Sequence, residues 1–264
     1  MSATARTHNS TTAPATSTPG AHLAVLKAEA RLFGREPGSI FWIVVFPTAL
    51  LSILGLIPSF REPGAVPGGQ RVIDLYVPVA VLLALITAGI QALPPVLTGY
   101  RERGVLRRMS TTPVRPAALL AAQIVLNGAA ALGSAVLALT VGRIAFGVRL
   151  PEQPAGYVLA LLLSMLSALA LGAVITALSR TTKTAGVIGS LVYFPMMFCA
   201  GVWLPVQAMP QLLRDIVELT PFGAASQALA QATAGSWPSW SYLGVMALWT
   251  ACTTGAAARW FRWE

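Results

Sequence analysis

Gly99-Tyr100-Arg101-Glu102-Arg103-Gly104-Val105-Leu106-Arg107-Arg108-Met109-Ser110-Thr111-Thr112-Pro113-Val114-Arg115 is a short charged segment set between two long apolar runs. It holds five arginines and one glutamate, more charge than any other connection in the chain. Apolar runs of this length on both sides imply a bilayer, so the segment reads as a compact charged loop at a membrane face. That reading fixes the class as an all-α membrane protein and asks what the loop touches.

The composition agrees. Of 264 residues, 55% are hydrophobic and 10% charged, where soluble chains carry about 25% charged residues. Mean hydropathy is +0.69. The net charge of +9 does not point to nucleic acid, because the basic residues lie at the ends of apolar runs, where a membrane protein places them. Cys199 and Cys252 sit inside apolar segments with no metal-ligand or disulfide spacing, and read as small packing residues.

Residues 1–20 are rich in Ser, Thr, Ala and Pro and read as a disordered tail. From 21 to 36 the pattern turns amphipathic. Leu23, Leu26, Ala30 and Phe33 share one helical face, and Lys27, Arg31 and Arg35 line another at i, i+4, i+8. This is the pattern of a helix lying in the membrane interface, with its basic row toward anionic lipid. Six runs of membrane length follow, at about 39–59, 75–97, 117–141, 156–178, 184–204 and 239–258. Pro47, Pro78 and Pro195 interrupt three of them and Pro94-Pro95 closes the second. Proline frees a backbone carbonyl, so these helices are expected to pack on one another.

With the N-terminus in the cytoplasm, the inner segments hold Arg6, Lys27, Arg31, Arg35, Arg101, Arg103, Arg107, Arg108, Arg115, Arg180, Lys183, Arg259 and Arg262, thirteen in all. The outer segments hold Arg61, Arg71, Arg143, Arg149 and Arg214. This asymmetry predicts cytoplasmic N and C termini. Between the fifth and sixth runs, Met209, Leu212, Leu213, Ile216 and Val217 fall on one helical face, and Thr220-Pro221-Phe222-Gly223 breaks that helix before a second, Ala/Gln-rich one. Two short re-entrant helices at the outer face are expected, flanked by Trp203, Trp237, Trp240 and Tyr242 as an interfacial belt.

A topology anchor needs only basic residues. The central loop adds Glu102, Gly104, Leu106 and Thr112-Pro113 among them, and two to three helical turns over Tyr100–Met109 would form a docking element for a protein partner. The segment from Tyr100 to Pro116 resembles the loop after the second span in ABC-2-type ABC transporter permeases of the daunorubicin-exporter kind, whose pattern is matched here by Glu102, Gly104, Leu106, Met109, Thr112, Pro113 and Val114. Phe198-Cys199-Ala200-Gly201-Val202-Trp203-Leu204-Pro205 and the following short helices resemble that family's extracellular region. The resemblance extends over residues 21–264.

The resemblance implies a role for each part. The interfacial helix with Lys27, Arg31 and Arg35 would be the connecting helix. Arg101, Glu102, Arg103, Gly104, Leu106, Arg107, Arg108, Thr112 and Pro113 would form the loop through which ATPase movement reaches the membrane. The chain has no G-x-x-x-x-G-K-[S/T] phosphate loop, so ATP and magnesium would be held by a separate cytoplasmic ATP-binding subunit, two copies with two permease copies, in a bacterial cell membrane. Ala185 and Gly189 form a small-xxx-small pair suited to a homodimer seam or to ordinary close packing. Phe194, Met196, Met197 and Phe198 around Pro195 suit either a substrate path for varied apolar ligands or plain helix packing.

The expected function is therefore export of a hydrophobic or amphipathic drug, antibiotic or lipid-like compound by alternating access. Export of a polysaccharide or other envelope polymer by a related permease is the alternative. An ion-coupled transporter is disfavoured, because such pumps place Asp, Glu or His inside the membrane, whereas His8 and His22 lie outside the runs. No span offers a nucleophile–base pair, an aspartate pair or a metal motif, which disfavours an intramembrane enzyme.

Overall fold

The computed structural model describes residues 19–63, 71–105 and 116–260. Among them there is no strand. Helix α1 is Pro19–Phe33. Four helices long and apolar enough to cross a membrane follow: α2 Pro37–Leu56, α3 Val72–Glu102, α4 Pro116–Phe146 and α5 Pro154–Leu178. Then come α6 Thr182–Cys199, the short pair α7 Gln211–Glu218 and α8 Pro221–Thr233, and α9 Trp240–Trp260. The sequence pattern had six spans. The fifth falls on α6, whose 18 residues make about 27 Å of helix against the roughly 30 Å of a hydrocarbon core. The sixth falls on α9.

Helix α3 is the pillar of the bundle. In its most apolar stretch 94% of residues are buried within the chain, against 22% in α2. Its neighbours α2, α4, α5, α6 and α8 surround it, so the lipid-facing side chains lie elsewhere. Ile53 and Leu56 of α2, Val136 and Ile144 of α4, Leu191 of α6 and Leu248 of α9 are all exposed on the isolated chain.

Arginines at the two ends of α3 fasten it to its neighbours in the same way. Before the first turn, Arg71 pairs with Asp74 at 2.7 Å and donates to the carbonyls of Phe146 and Gly147 at the end of α4. The hydrogen bond and charge of Asp74 raise the Arg71 pKa above its usual range. At the last turn, Arg101 donates to the carbonyls of Thr176 and Ser179 at the end of α5. A helix C-terminus leaves carbonyls unbonded and partly negative, so a guanidinium there satisfies them and meets favourable charge.

Two π-helical segments interrupt the helices, Phe41–Val45 in α2 and Thr87–Ala92 in α3. Each lies just before prolines, Pro47 in one case and Pro94-Pro95 in the other. Proline cannot donate to the carbonyl four residues back, which leaves the preceding turn free to widen. The widened turn of α3 is gripped on two sides by small residues. A Cβ on Gly172 of α5 would collide with the Gly89 carbonyl, and one on Gly189 of α6 would lie 3.1 Å from the Ile90 carbonyl. Three helices thus meet backbone to backbone at one level.

At the end of the bundle away from Arg101, α7 and α8 form a helical hairpin. Its tip lies partway down the bundle, where Trp249 Nε1 donates to the Leu219 carbonyl at 2.9 Å, nine residues or about 13 Å along α9 from Trp240. The chain then returns, and the Ala232 carbonyl accepts from the Gln153 amide at the start of α5. Phe222, Ala224, Ala225, Ala228, Leu229 and Ala232 are each 0% exposed. Irregular backbone at such depth needs every polar group bonded. Thr220 donates to the Val217 carbonyl and accepts from the Gly223 amide, and Glu218 accepts from Gln227 and Tyr242.

Two expected apolar faces are arranged differently. In α1, Leu26 and Phe33 turn inward with Glu29 between them, while Leu23 and Ala30 are exposed. In α7 and just before it, Met209, Leu213 and Val217 point inward but Leu212 and Ile216 are exposed. Both elements pack on the bundle by a narrow stripe, and in a membrane setting the outer apolar residues meet lipid. Trp203, Trp237 and Trp240 are exposed beside the hairpin, and Trp260 is exposed at the opposite end.

Candidate functional site

Three consecutive residues at the end of α3 reach three different parts of the bundle. Successive residues on an α-helix point about 100° apart, so Tyr100, Arg101 and Glu102 fan out. Gly104, at φ +65°, then ends the helix in a conformation that suits glycine. The backbone amides of Arg103 and Gly104 close the last turn by donating hydrogen bonds to the carbonyls of Gly99 and Arg101.

Tyr100 donates its hydroxyl to Glu29 Oε2 at 2.7 Å, joining α3 to α1. Gln123 of α4 donates to the same oxygen at 2.5 Å, and Asn127 donates to Gln123 Oε1 at 3.3 Å. Glu29 is 6% exposed and Gln123 3%, so this polar cluster is sealed. Arg101 holds the end of α5 at 2.9 and 3.3 Å. Glu102 accepts from the Thr182 amide at 3.1 Å and from the Thr182 hydroxyl, at the first turn of α6. A carboxylate at a helix N-terminus and a guanidinium at a helix C-terminus both complement the helix dipole. Together, Arg101 and Glu102 bracket the turn from α5 into α6 from its two sides.

Glu102 and Arg101 were expected as exposed side chains for a partner to read. Glu102 is exposed but already bonded to Thr182, and Arg101 is half-buried. Arg103 is exposed. Leu106, Arg107, Arg108, Thr112 and Pro113 lie outside the described residues, as does nearly all of the expected tail. Lys27 and Arg31 are exposed on α1, on the side opposite Glu29, and Arg35 is exposed in the turn that follows.

A second feature lies midway along the bundle. A cleft of about 580 Å³ is lined by Trp42, Phe46, Thr87, Tyr193, Phe194 and Met197 among others. Thr87 and Tyr193 hydroxyls bond to each other at 3.0 Å in its wall. Of the four residues expected on a substrate path, Phe194 and Met197 line this cleft, being three apart on α6. Met196 packs into the main core, and Phe198 packs beside Cys199 and Val206. Ala185 and Gly189 are buried inside this chain, where Gly189 faces the widened turn of α3. Their close approach is used within the subunit.

Sequence reasoning passed over Glu29, Thr182, Trp42, Phe46, Thr87 and Tyr193. For Glu29 a signal existed, since it is the one acid between Ala21 and Phe33, set opposite the basic row.

The helical membrane fold, with a charged turn tied into several helices at one end, defines a multi-pass membrane protein. Residues 21–233 match the family model of the ABC-2 type transporter, and the chain belongs to that family. It is thus a permease component of an ABC transporter and not the ATPase, and such permeases generally work with a cytoplasmic ATP-binding subunit. A comparison with curated proteins found no match.

Proposed function

We propose that this chain is the membrane subunit of an exporter powered by a separate cytoplasmic ATPase, with two ATPase and two permease copies. Six spans, formed by α2 to α6 and α9, put both termini and the Arg101 end in the cytoplasm. ATP and magnesium belong to the partner, since this chain lacks a phosphate-binding loop. The observation that carries the reading is the fan of Tyr100, Arg101 and Glu102. A push on the following loop reaches α1, α4, α5 and α6 as well as α3 itself. That is what alternating access driven from one face requires.

The substrate is hydrophobic or amphipathic. The cleft is aromatic and carries no charged lining residue, which suits an apolar or aromatic compound of drug, antibiotic or lipid-like character. Ser39, Thr87, Gln91 and Tyr193 add polar groups to the wall, so export of a polysaccharide or other envelope polymer stays as the alternative. The seam between permease copies is assigned to the exposed face of α6, with Val187, Leu191 and Phe194.

The test is co-expression with the ATPase subunit and purification on a tag carried by the permease. The wild-type pair is expected to co-purify and hydrolyse ATP, and Glu102→Ala and Arg101→Ala to retain the ATPase while losing substrate-stimulated hydrolysis. A permease that retains no ATPase sinks the reading.

A further inference from the structure

We propose that Glu29 is a positioning residue for energy coupling, a latch that makes α1 a moving part of the transmission rather than a membrane anchor alone. This rests on the coupling role of the Tyr100–Gly104 turn. Glu29 projects from α1 into the bundle and is 6% exposed. Its Oε2 accepts from Tyr100 of α3 and Gln123 of α4, so a single oxygen ties together three helices, and Gln123 also donates to the Tyr100 hydroxyl at 3.4 Å. Tyr100 precedes Arg101 and Glu102 directly, so α1 is tied to the residue next to those that hold α5 and α6.

A buried carboxylate is costly unless donors satisfy it, and removing it strands those donors. The cluster therefore favours one docked position of α1. Movement of the α3 end either carries α1 along or breaks the two bonds. On the far side of α1, Lys27 and Arg31 face outward, so the same helix that would meet the lipid surface is fastened to the coupling turn.

Two measurements test this on the full chain in lipid nanodiscs. The first is amide hydrogen exchange across α1 in the permease alone. Glu29→Ala is expected to speed exchange over residues 23–33 by about tenfold or more, the size of effect a bond to a charged group gives. Tyr100→Phe, a milder change, is expected to do the same to a smaller degree. The exchanged pair Glu29→Gln with Gln123→Glu keeps one carboxylate and one amide across the gap and is expected to restore protection.

The second is ATP hydrolysis by the complex with its ATPase subunit. Glu29→Ala is expected to keep the subunit bound but lose at least half of the permease-dependent hydrolysis, with recovery in the exchanged pair. Unchanged exchange in Glu29→Ala overturns the latch. Faster exchange with unchanged hydrolysis overturns the coupling role and leaves α1 an anchor. If the wild-type permease binds no ATPase, the coupling reading and this role fall together, and the exchange data still report whether the three helices are tied.

Discussion

At Gly172 a single carbon atom separates a tolerated packing from a broken one. A Cβ there would run into the Gly89 carbonyl, and backbone cannot swing aside as a flexible side chain can. Gly172→Ala is therefore expected to destabilise the fold by about 1–3 kcal/mol, the usual cost of overpacking. Gly133 of α4 is the matched control, with nothing within 4 Å of its Cβ position. Gly133→Ala is expected to be neutral or to stabilise by up to about 1 kcal/mol, since alanine favours a helix interior. Thermal unfolding in detergent followed by tryptophan fluorescence checks both, and equal effects would refute the crossing. Little of this was legible in the sequence. With 23 glycines in alanine-rich spans, small-xxx-small pairs arise often, and nothing in the string separates Ala168-xxx-Gly172 from Ala185-xxx-Gly189. The charged residues were easier to find than their partners. Arg101 and Glu102 stood out, but the groups they bind lie more than seventy residues away.

At the scale of elements, hydropathy located helices but did not rank them. Helices α2 and α3 have the same mean hydropathy in their most apolar stretches, yet only 22% of one stretch is buried and 94% of the other. A bilayer makes apolar side chains suitable for both positions, so the inside–outside contrast that marks a soluble helix is missing. Proline was more informative, because its missing N–H marked both widened turns. Helix α6 has two faces with different uses. Ala185, Gly189 and Tyr193 are buried against the bundle, and Val187, Leu191 and Phe194 stand exposed. If the exposed face is the permease seam, Leu191→Cys in a Cys252→Ser background is expected to cross-link two copies under mild oxidation. Cys199 is buried and stays inert. Val136→Cys on the exposed face of α4 is expected to remain monomeric on the gel. Cross-linking at 136 with none at 191 would move the seam to α4.

For the whole molecule, function turns on which end faces ATP. Under the proposed function, the fan at Tyr100–Glu102 is useful only where an ATPase can push on it, and the hairpin tip at Leu219–Thr220 would close a pathway only from the opposite side. By the charge asymmetry of the sequence, the excess of lysine and arginine at the Arg101 end would put that end inside. The outward-facing residues of the other end supply the comparison. Arg61 follows α2 and is exposed, and Arg35 precedes α2 and is exposed as well. In the Cys252→Ser background, Arg61→Cys is expected to react with a membrane-impermeant maleimide on intact cells. Arg35→Cys is expected to react only after the cells are opened. These two positions bracket one span, so labelling must differ between them if α2 crosses, and the direction of the difference orients the bundle. The reverse pattern would set the Tyr100 turn outside, away from any nucleotide, and the coupling role would fail with the fold unchanged. Equal labelling would mean that α2 does not cross. The burial of α3 would then have to be explained with its neighbour α2 lying flat, although α2 is a helix of 20 residues, long and apolar enough to span.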